Sequence, residues 1–136
     1  MPTRPHIHVV AAVIHDSQSR IFATQRGYGP FKDQWEFPGG KIETGETPEQ
    51  ALHREIHEEL NTDIVIERLI DTIEYDYPEF HLTMQCYWCR LANNHIRLLE
   101  HEDARWLAPD KLLSVDWLPA DISLIHNIKH IITNPT

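Results

Sequence analysis

No apolar run in this chain approaches the roughly 20 residues that span a bilayer, and the opening Met1-Pro2-Thr3-Arg4-Pro5-His6 lacks the apolar stretch of a signal peptide. A soluble, cytoplasmic protein with no membrane partner is expected. Basic residues are scarce: 12 Lys and Arg stand against 21 Asp and Glu, a net charge of -9. That balance argues against stable nucleic-acid binding, which needs cations for the phosphates. Cysteine is scarcer still, with Cys86 and Cys89 alone. Side chains three apart in a strand point to opposite faces, so this C-x-x-C does not make a zinc pair, and no second pair completes a site. Both are expected as reduced structural thiols.

What is present suffices for one domain. A chain of 136 residues with 41% hydrophobic composition fills a core without staples, and disorder, collagen and coiled coil are excluded. No repeat, low-complexity tract or linker divides residues 1–136. Val9 to Ile14 and Ile21 to Arg26 read as strands joined through Asp16-Ser17-Gln18-Ser19, which predicts a hairpin. A loop from Gly27 to Gln34 precedes extended Trp35-Glu36-Phe37, and Pro38-Gly39-Gly40 breaks it. Thr47 as N-cap, Pro48 at the first helical position and Gln50 completing a capping box predict a helix to Leu60, closed by Asn61 in a left-handed conformation. Leu52, Ile56 and Leu60 supply its buried stripe. Strands are expected at Ile64 to Tyr77, Phe80 to Leu91, Ile96 to Leu99 and Ala104 to Leu107, and an amphipathic helix at Ile122 to Ile132. The mixed order predicts an α+β layered domain.

On the first helix Glu55, Glu58 and Glu59 stand at i, i+3 and i+4, within an arc of about 100°. Like charges so spaced repel unless a cation neutralises them, and hard divalent cations take carboxylate oxygens. Gly40, Glu46, Arg54, Glu55, Ile56, Glu58 and Glu59 together fit the pattern G-x5-E-x7-R-E-U-x-E-E-x-G-U, with U aliphatic. This is the Nudix box, and the chain is identified by resemblance as a member of that superfamily. Asn61 replaces the closing Gly and Thr62 the last aliphatic residue. The stretches Trp35 to Glu43, Gly45 to Ala51 and Leu118-Pro119-Ala120-Asp121 resemble the MutT branch of nucleoside triphosphate pyrophosphohydrolases.

The resemblance implies the Nudix fold, a mixed β-sheet sandwiched between helices, and Mg²⁺-dependent hydrolysis of a nucleoside triphosphate to monophosphate and pyrophosphate, with Mn²⁺ as a substitute. Clean-up of the nucleotide pool is the role such chemistry serves, in a monomer or homodimer. It further implies that Glu55, Glu58 and Glu59 ligate metal with help from the Gly39 carbonyl. Arg54 would orient the carboxylates and Glu46 brace the helix start. Glu100 resembles the loop carboxylate that adds a ligand or acts as general base, with Glu102 as the fallback. Arg26 and Lys41 are candidates for phosphate or nucleotide contacts.

Asp121 opens the last helix and reads most simply as an N-cap. In the MutT branch this position faces the base, and Asp there resembles members that favour cytidine-type nucleotides, as CTP pyrophosphohydrolases do, whereas Asn suits oxidised guanine. An ionised carboxylate only accepts hydrogen bonds, and cytosine offers its N4 amino donor. Phe37 lines the base pocket or is core. Three rivals stand beside this reading. Pro78, 16 residues after Thr62, has the spacing of ADP-ribose pyrophosphatases, although it equally makes a hairpin turn. A non-catalytic nucleotide-binding module would keep the fold. A zinc hydrolase would use His53 and His57, but the acid of H-E-x-x-H follows its first His directly, where this chain has Arg54. His126 and His130 repeat the spacing without an acid nearby in sequence.

Overall fold

The structure, a computed structural model, describes residues 4–93 and 95–133. Strand β1 (His6–Ile14) carries the run Val10 to Ile14, buried at every position. A strand without polar alternation needs cover on both faces, so β1 lies inside a four-stranded sheet. Its order is β4 (Gly39–Lys41), β1, β6 (His81–Leu91), β5 (Ile64–Asp76), with β1 parallel to β6 and the other pairs antiparallel.

Alternation along β1 then assigns the two helices. Val10, Ala12 and Ile14 pack on Leu52, Ile56 and Leu60 of α1 (Pro48–Leu60), while Ala11 and Val13 face the cluster holding Leu124, Ile125 and Ile128 of α2 (Pro119–Thr133). The mixed sheet is therefore sandwiched between helices, as the α+β reading requires. Cys86 falls in one cluster and Cys89 in the other, both as free buried thiols.

The expected hairpin of β1 with β2 (Ile21–Arg26) does not form. The turn itself does, with the Asp16 amide donating to Arg20 O at 3.1 Å and the Ser19 amide to Asp16 O at 3.1 Å. Among the described residues the two strands meet in an isolated bridge at His15 and Ile21. Because both edges of β1 are taken by β4 and β6, β2 enters a second, antiparallel sheet of order β3 (Trp35–Glu36), β2, β7 (His101–Leu107).

Ile96 to Leu99 is not a strand either. Its amides finish α1 instead: Arg97 N–H donates to Leu60 O at 2.8 Å and Leu99 N–H to Glu59 O at 2.9 Å, satisfying carbonyls that a helix end leaves open. Strand β7 starts earlier than expected, at His101, and α2 at Pro119. Pro78 sits in the β5–β6 hairpin turn, where the Tyr77 amide donates to Phe80 O at 2.9 Å. No helix among the described residues is long and apolar enough to cross a membrane.

Helix α1 begins and ends as its caps dictate. Thr47 Oγ1 accepts from the Gln50 amide at 3.1 Å while Gln50 Oε1 accepts from the Thr47 amide at 2.9 Å. Asn61, at φ 49° and ψ 43°, donates its amide to His57 O, the left-handed closure that Asn tolerates. Replacing Thr47 by Ala removes one half of this box. A loss of about 1 kcal/mol is expected, read as a fall in Tm of roughly 3 to 5 °C for a domain of this size; an unchanged melt would show that the box adds nothing to stability.

Candidate active site

Arg54 organises the acidic end of α1. Its Nε and Nη2 reach Glu46 Oε2 at 2.7 Å and Oε1 at 2.9 Å, a bidentate pair across the loop–helix junction. Nη1 donates to Glu55 Oε1 at 2.7 Å and Glu58 Oε2 at 3.3 Å, and Nη2 also donates to the Lys41 carbonyl at 3.0 Å. Hydrogen bonds from Arg54 and from the Glu43 amide hold the Glu46 carboxyl down at about 2. One guanidinium thus ties β4, the following loop and α1 together, and Glu46 braces the helix start.

Gly40 and Gly39 are small for different reasons. A Cβ on Gly40 would lie 2.5 Å from Glu55 Cδ, so the Glu55 carboxyl rests directly on backbone. A Cβ on Gly39 would lie 2.9 Å from Ala11 Cα, inside the β1–β4 contact.

Glu59 is the buried member of the acidic trio, 5% exposed. Burial first, and then the neighbouring Glu55 carboxyl, push its pKa up to about 10. Its Oε1 lies 3.3 Å from His101 Nε2, while Oε2 has no hydrogen-bond partner. An unpartnered buried oxygen is costly, and Glu59 lines a cavity of about 300 Å³ together with Glu55, Glu58, Glu100, Arg26, Glu36, Gly39 and His101. Glu100 reaches this cavity because Leu99 and Arg97 are pinned to the end of α1. Glu102 does not; its carboxylate lies on the surface, 3.4 Å from Lys32 Nζ.

A second, apolar cavity of about 240 Å³ adjoins the first, sharing Arg26, Glu36 and Gly39. Its walls include Phe37, Tyr77, Leu118 and Asp121, and Lys41 lies at its edge, exposed. Phe37 is both core and lining: it stacks on Trp117 with centroids 4.5 Å apart. Arg26 is held at the junction by Glu36, with Nη2 3.0 Å from Oε1. Burial disfavours the Arg26 charge, but the Glu36 hydrogen bonds outweigh it and raise its pKa.

Asp121 is not an N-cap. It is the third residue of α2, 5% exposed, and its Oδ1 accepts the Phe37 amide at 2.9 Å. Burial pushes its pKa up to about 8, against the pull of that amide. At neutral pH the carboxyl is mostly protonated in the free protein, where an ionised group was expected.

The helical histidines stay out of the site. His53 is exposed, and His57 lies 3.7 Å from Asp63 on the surface. His126 is likewise exposed on α2. Three participants went unread in the sequence: Glu36, His101 and Tyr77. Glu36 reaches the site through the β2–β3 register, in which Thr24 pairs with Glu36 and Arg26 lies two residues along the same face. His101 and Tyr77 reach the site through the β7 register and the β5–β6 turn, which local sequence does not encode.

Comparison with known proteins shows the family. A family model described as the NUDIX domain matches residues 5–128. The chain belongs to the Nudix family. This Nudix hydrolase is 30% identical over 126 residues to the 8-oxo-dGTP diphosphatase of Escherichia coli (strain K12), covering 92% of this chain and 98% of that protein. It is 30% identical over 131 residues to the CTP pyrophosphohydrolase of the same organism, covering 88% of each. Among solved structures, the E. coli ORF135 protein superposes with a TM-score of 0.82 at 26% identity, covering 100% of this chain and 99% of that one. Homologues named as diphosphatases place this Nudix chain among hydrolases of nucleotides.

The buried Asp121 sets a pH dependence. Its carboxyl titrates near the ordinary carboxylate value when unfolded and near 8 when folded, so the folded state binds the proton more tightly. Its contribution is fully present below about pH 4 and is lost as pH rises towards 8. Asp121→Asn keeps an acceptor for the Phe37 amide without a charge. The variant is expected to melt several degrees above the parent at pH 8 and level with it near pH 4; a gap independent of pH would contradict the raised value.

Proposed function

We propose that this Nudix hydrolase cleaves a nucleoside triphosphate to monophosphate and pyrophosphate with Mg²⁺ held by Glu55, Glu58, Glu59 and Glu100 and the Gly39 carbonyl. The observation that carries this reading is the partnerless buried Oε2 of Glu59 beside Glu55, in a cavity that Arg26 joins to an apolar one. Oxygen donors alone suit Mg²⁺, with Mn²⁺ able to replace it. When bound, such an ion neutralises phosphate charge and makes a water a better nucleophile.

The chain's own residues do the rest. Arg54 fixes the directions of Glu55 and Glu58, so the ligands are oriented before substrate arrives. Arg26, charged and anchored by Glu36, lies where a triphosphate would pass from one cavity to the other, and Lys41 adds a cation at the rim. Glu100, on the loop above the carboxylates, accepts the proton of the attacking water. Phe37 and Asp121 address the base. Attack at the β-phosphorus leaves monophosphate and pyrophosphate.

The base we assign is cytosine or a modified or oxidised one, consistent with relatives named for CTP and 8-oxo-dGTP. With Oδ1 engaged by the Phe37 amide, the other Asp121 oxygen faces the base; it donates when protonated and accepts when ionised. Ionised, it suits the cytosine N4 amino group; protonated, it suits a carbonyl of an oxidised guanine.

Glu58 is half exposed, so its substitution is expected to leave the fold intact. Glu58→Gln is expected to lower kcat about a thousandfold, and chelator to abolish turnover. Hydrolysis in ¹⁸O-water should place the label in pyrophosphate. Full activity of the variant or in excess chelator would overturn the metal assignment. Orthophosphate release would overturn the reaction, and a ribose phosphate product from ADP-ribose with triphosphates inert would overturn the substrate.

Asp121→Asn presents only a donor to the base. Above about pH 8, where the parent carboxyl is ionised, the variant's kcat/KM for CTP relative to 8-oxo-dGTP should lie roughly 5- to 150-fold below the parent's, the discrimination of one good base contact. The parent ratio should rise with pH through about 8 and the variant's should not. Equal ratios at every pH would remove Asp121 from base recognition.

A further inference from the structure

Residues that the nucleotide site does not use gather at one end of the four-stranded sheet, on the face opposite the apolar cavity. β1 is paired with β6 as His6 with His81 and His8 with Thr83, and β5 with β6 as Asp76 with His81 and Glu74 with Thr83. Alternation puts all of these on the α1 side of the sheet, while Ile7 and Leu82 on the other side line the apolar cavity. Helix α1 covers Val10, Ala12 and Ile14 but stops short of His6 and His8, so this end of the face is open to solvent and polar.

From this cluster we propose a second metal site, for a transition-metal ion such as Zn²⁺, with His6, His81 and Glu74 as protein ligands and water completing the coordination. One donor atom from each lies within 4.8 Å of the others. Two imidazoles and one carboxylate are the donor set of zinc rather than of Mg²⁺. About 3.3 Å separates neighbouring ligand atoms around a tetrahedral zinc at ordinary bond lengths, so modest side-chain rotation closes the site.

The surrounding hydrogen bonds supply the independent support. His81 Nδ1 is 2.7 Å from Asp76 Oδ1, which also accepts from Arg4 Nη2 at 2.8 Å. This is the carboxylate–histidine arrangement that orients a ligating imidazole and leaves its other nitrogen for the metal. That other nitrogen, Nε2, is 2.8 Å from Glu74 Oε1. Thr83 Oγ1 donates to Glu74 Oε1 at 2.6 Å and lies 2.6 Å from His6 Nε2, holding both side chains towards one point. His8 stacks on His6 with centroids 4.2 Å apart and fixes its plane. On binding, His81 releases its Nε2 proton to solvent while its Nδ1–H stays on Asp76, and His6 presents Nε2 by moving its proton to Nδ1. The net change is one proton lost for each ion bound from the doubly protonated His81. The ion would clamp β1, β5 and β6 behind Ile7 and Leu82.

Titration calorimetry with Zn²⁺ in excess Mg²⁺ tests this on the full chain. One zinc is expected per chain, with affinity falling at least tenfold in His6→Ala and in His81→Ala, 10- to 100-fold in Asp76→Asn, and unchanged in Glu58→Gln. Mg²⁺-dependent turnover without zinc should be the same in all three cluster variants as in the parent. The ring proton signals of His6 and His81 should shift with zinc, and melts without zinc confirm that each variant folds. No zinc binding to the parent, affinity unchanged in both histidine variants, or binding lost only in Glu58→Gln overturns the proposal.

Discussion

The site depends on the fan of hydrogen bonds made by Arg54. A single guanidinium spans Glu46, Glu55, Glu58 and the Lys41 carbonyl. These partners come from strand β4, from the loop after it and from α1. Helix α1 is already fixed to β1 by Leu52, Ile56 and Leu60. What Arg54 adds is the azimuth: it decides which way the carboxylates of a packed helix point. Lys could not replace it, because an ammonium offers no planar fork for the Glu46 pair. The spacing of seven residues between Glu46 and Arg54 is thus a mechanical requirement, since the loop must return along the helix by two turns for the pair to meet.

A surplus of acids close together is unfavourable for the fold, and the structure shows where that cost is concentrated. Glu58 is half exposed and Glu55 rests against Arg54, so neither suffers much. Glu59 carries the burden, buried beside Glu55 with one oxygen unpartnered. Such an oxygen is tolerated in a stable domain only where ligand binding repays it, which is why sites, and not cores, hold such groups. Asp121 is perturbed for another reason. It is dry, but the Phe37 amide satisfies one oxygen, leaving the other to change between donor and acceptor with its proton.

Helix α1, the acidic arc and the sandwich of sheet between helices were legible because each rests on local signals: a capping box, a four-residue apolar stripe and an apolar run at β1 long enough to need two covers. The failures share a cause. The β1–β2 hairpin was inferred from turn chemistry, yet pairing is decided by which strands compete for an edge, and β6 and β4 win both edges of β1. Ile96 to Leu99 looked like a strand because three of its four residues are apolar, while its amides were needed at the end of α1. Asp121 had the composition of a cap, but its partner, Phe37, is 84 residues away. In each case the deciding contact is long in sequence, and local reading has no access to it.

The placement of Arg26 follows from the same competition for edges. Because β2 is excluded from the sheet of β1, it pairs with β3 and β7 instead, and this brings Arg26 beside Glu36 and near His101. The second sheet therefore contributes a partly buried cation at the junction of two cavities whose other walls come mainly from the first sheet and α1. A phosphate chain needs positive charge along its path, and a base needs a dry wall. Had β2 formed a hairpin with β1, that cation would lie on the wrong sheet, and the acidic cavity would face the apolar one with nothing to draw a triphosphate between them. The split into two sheets is thus what sets a cation between the acidic cavity and the apolar one.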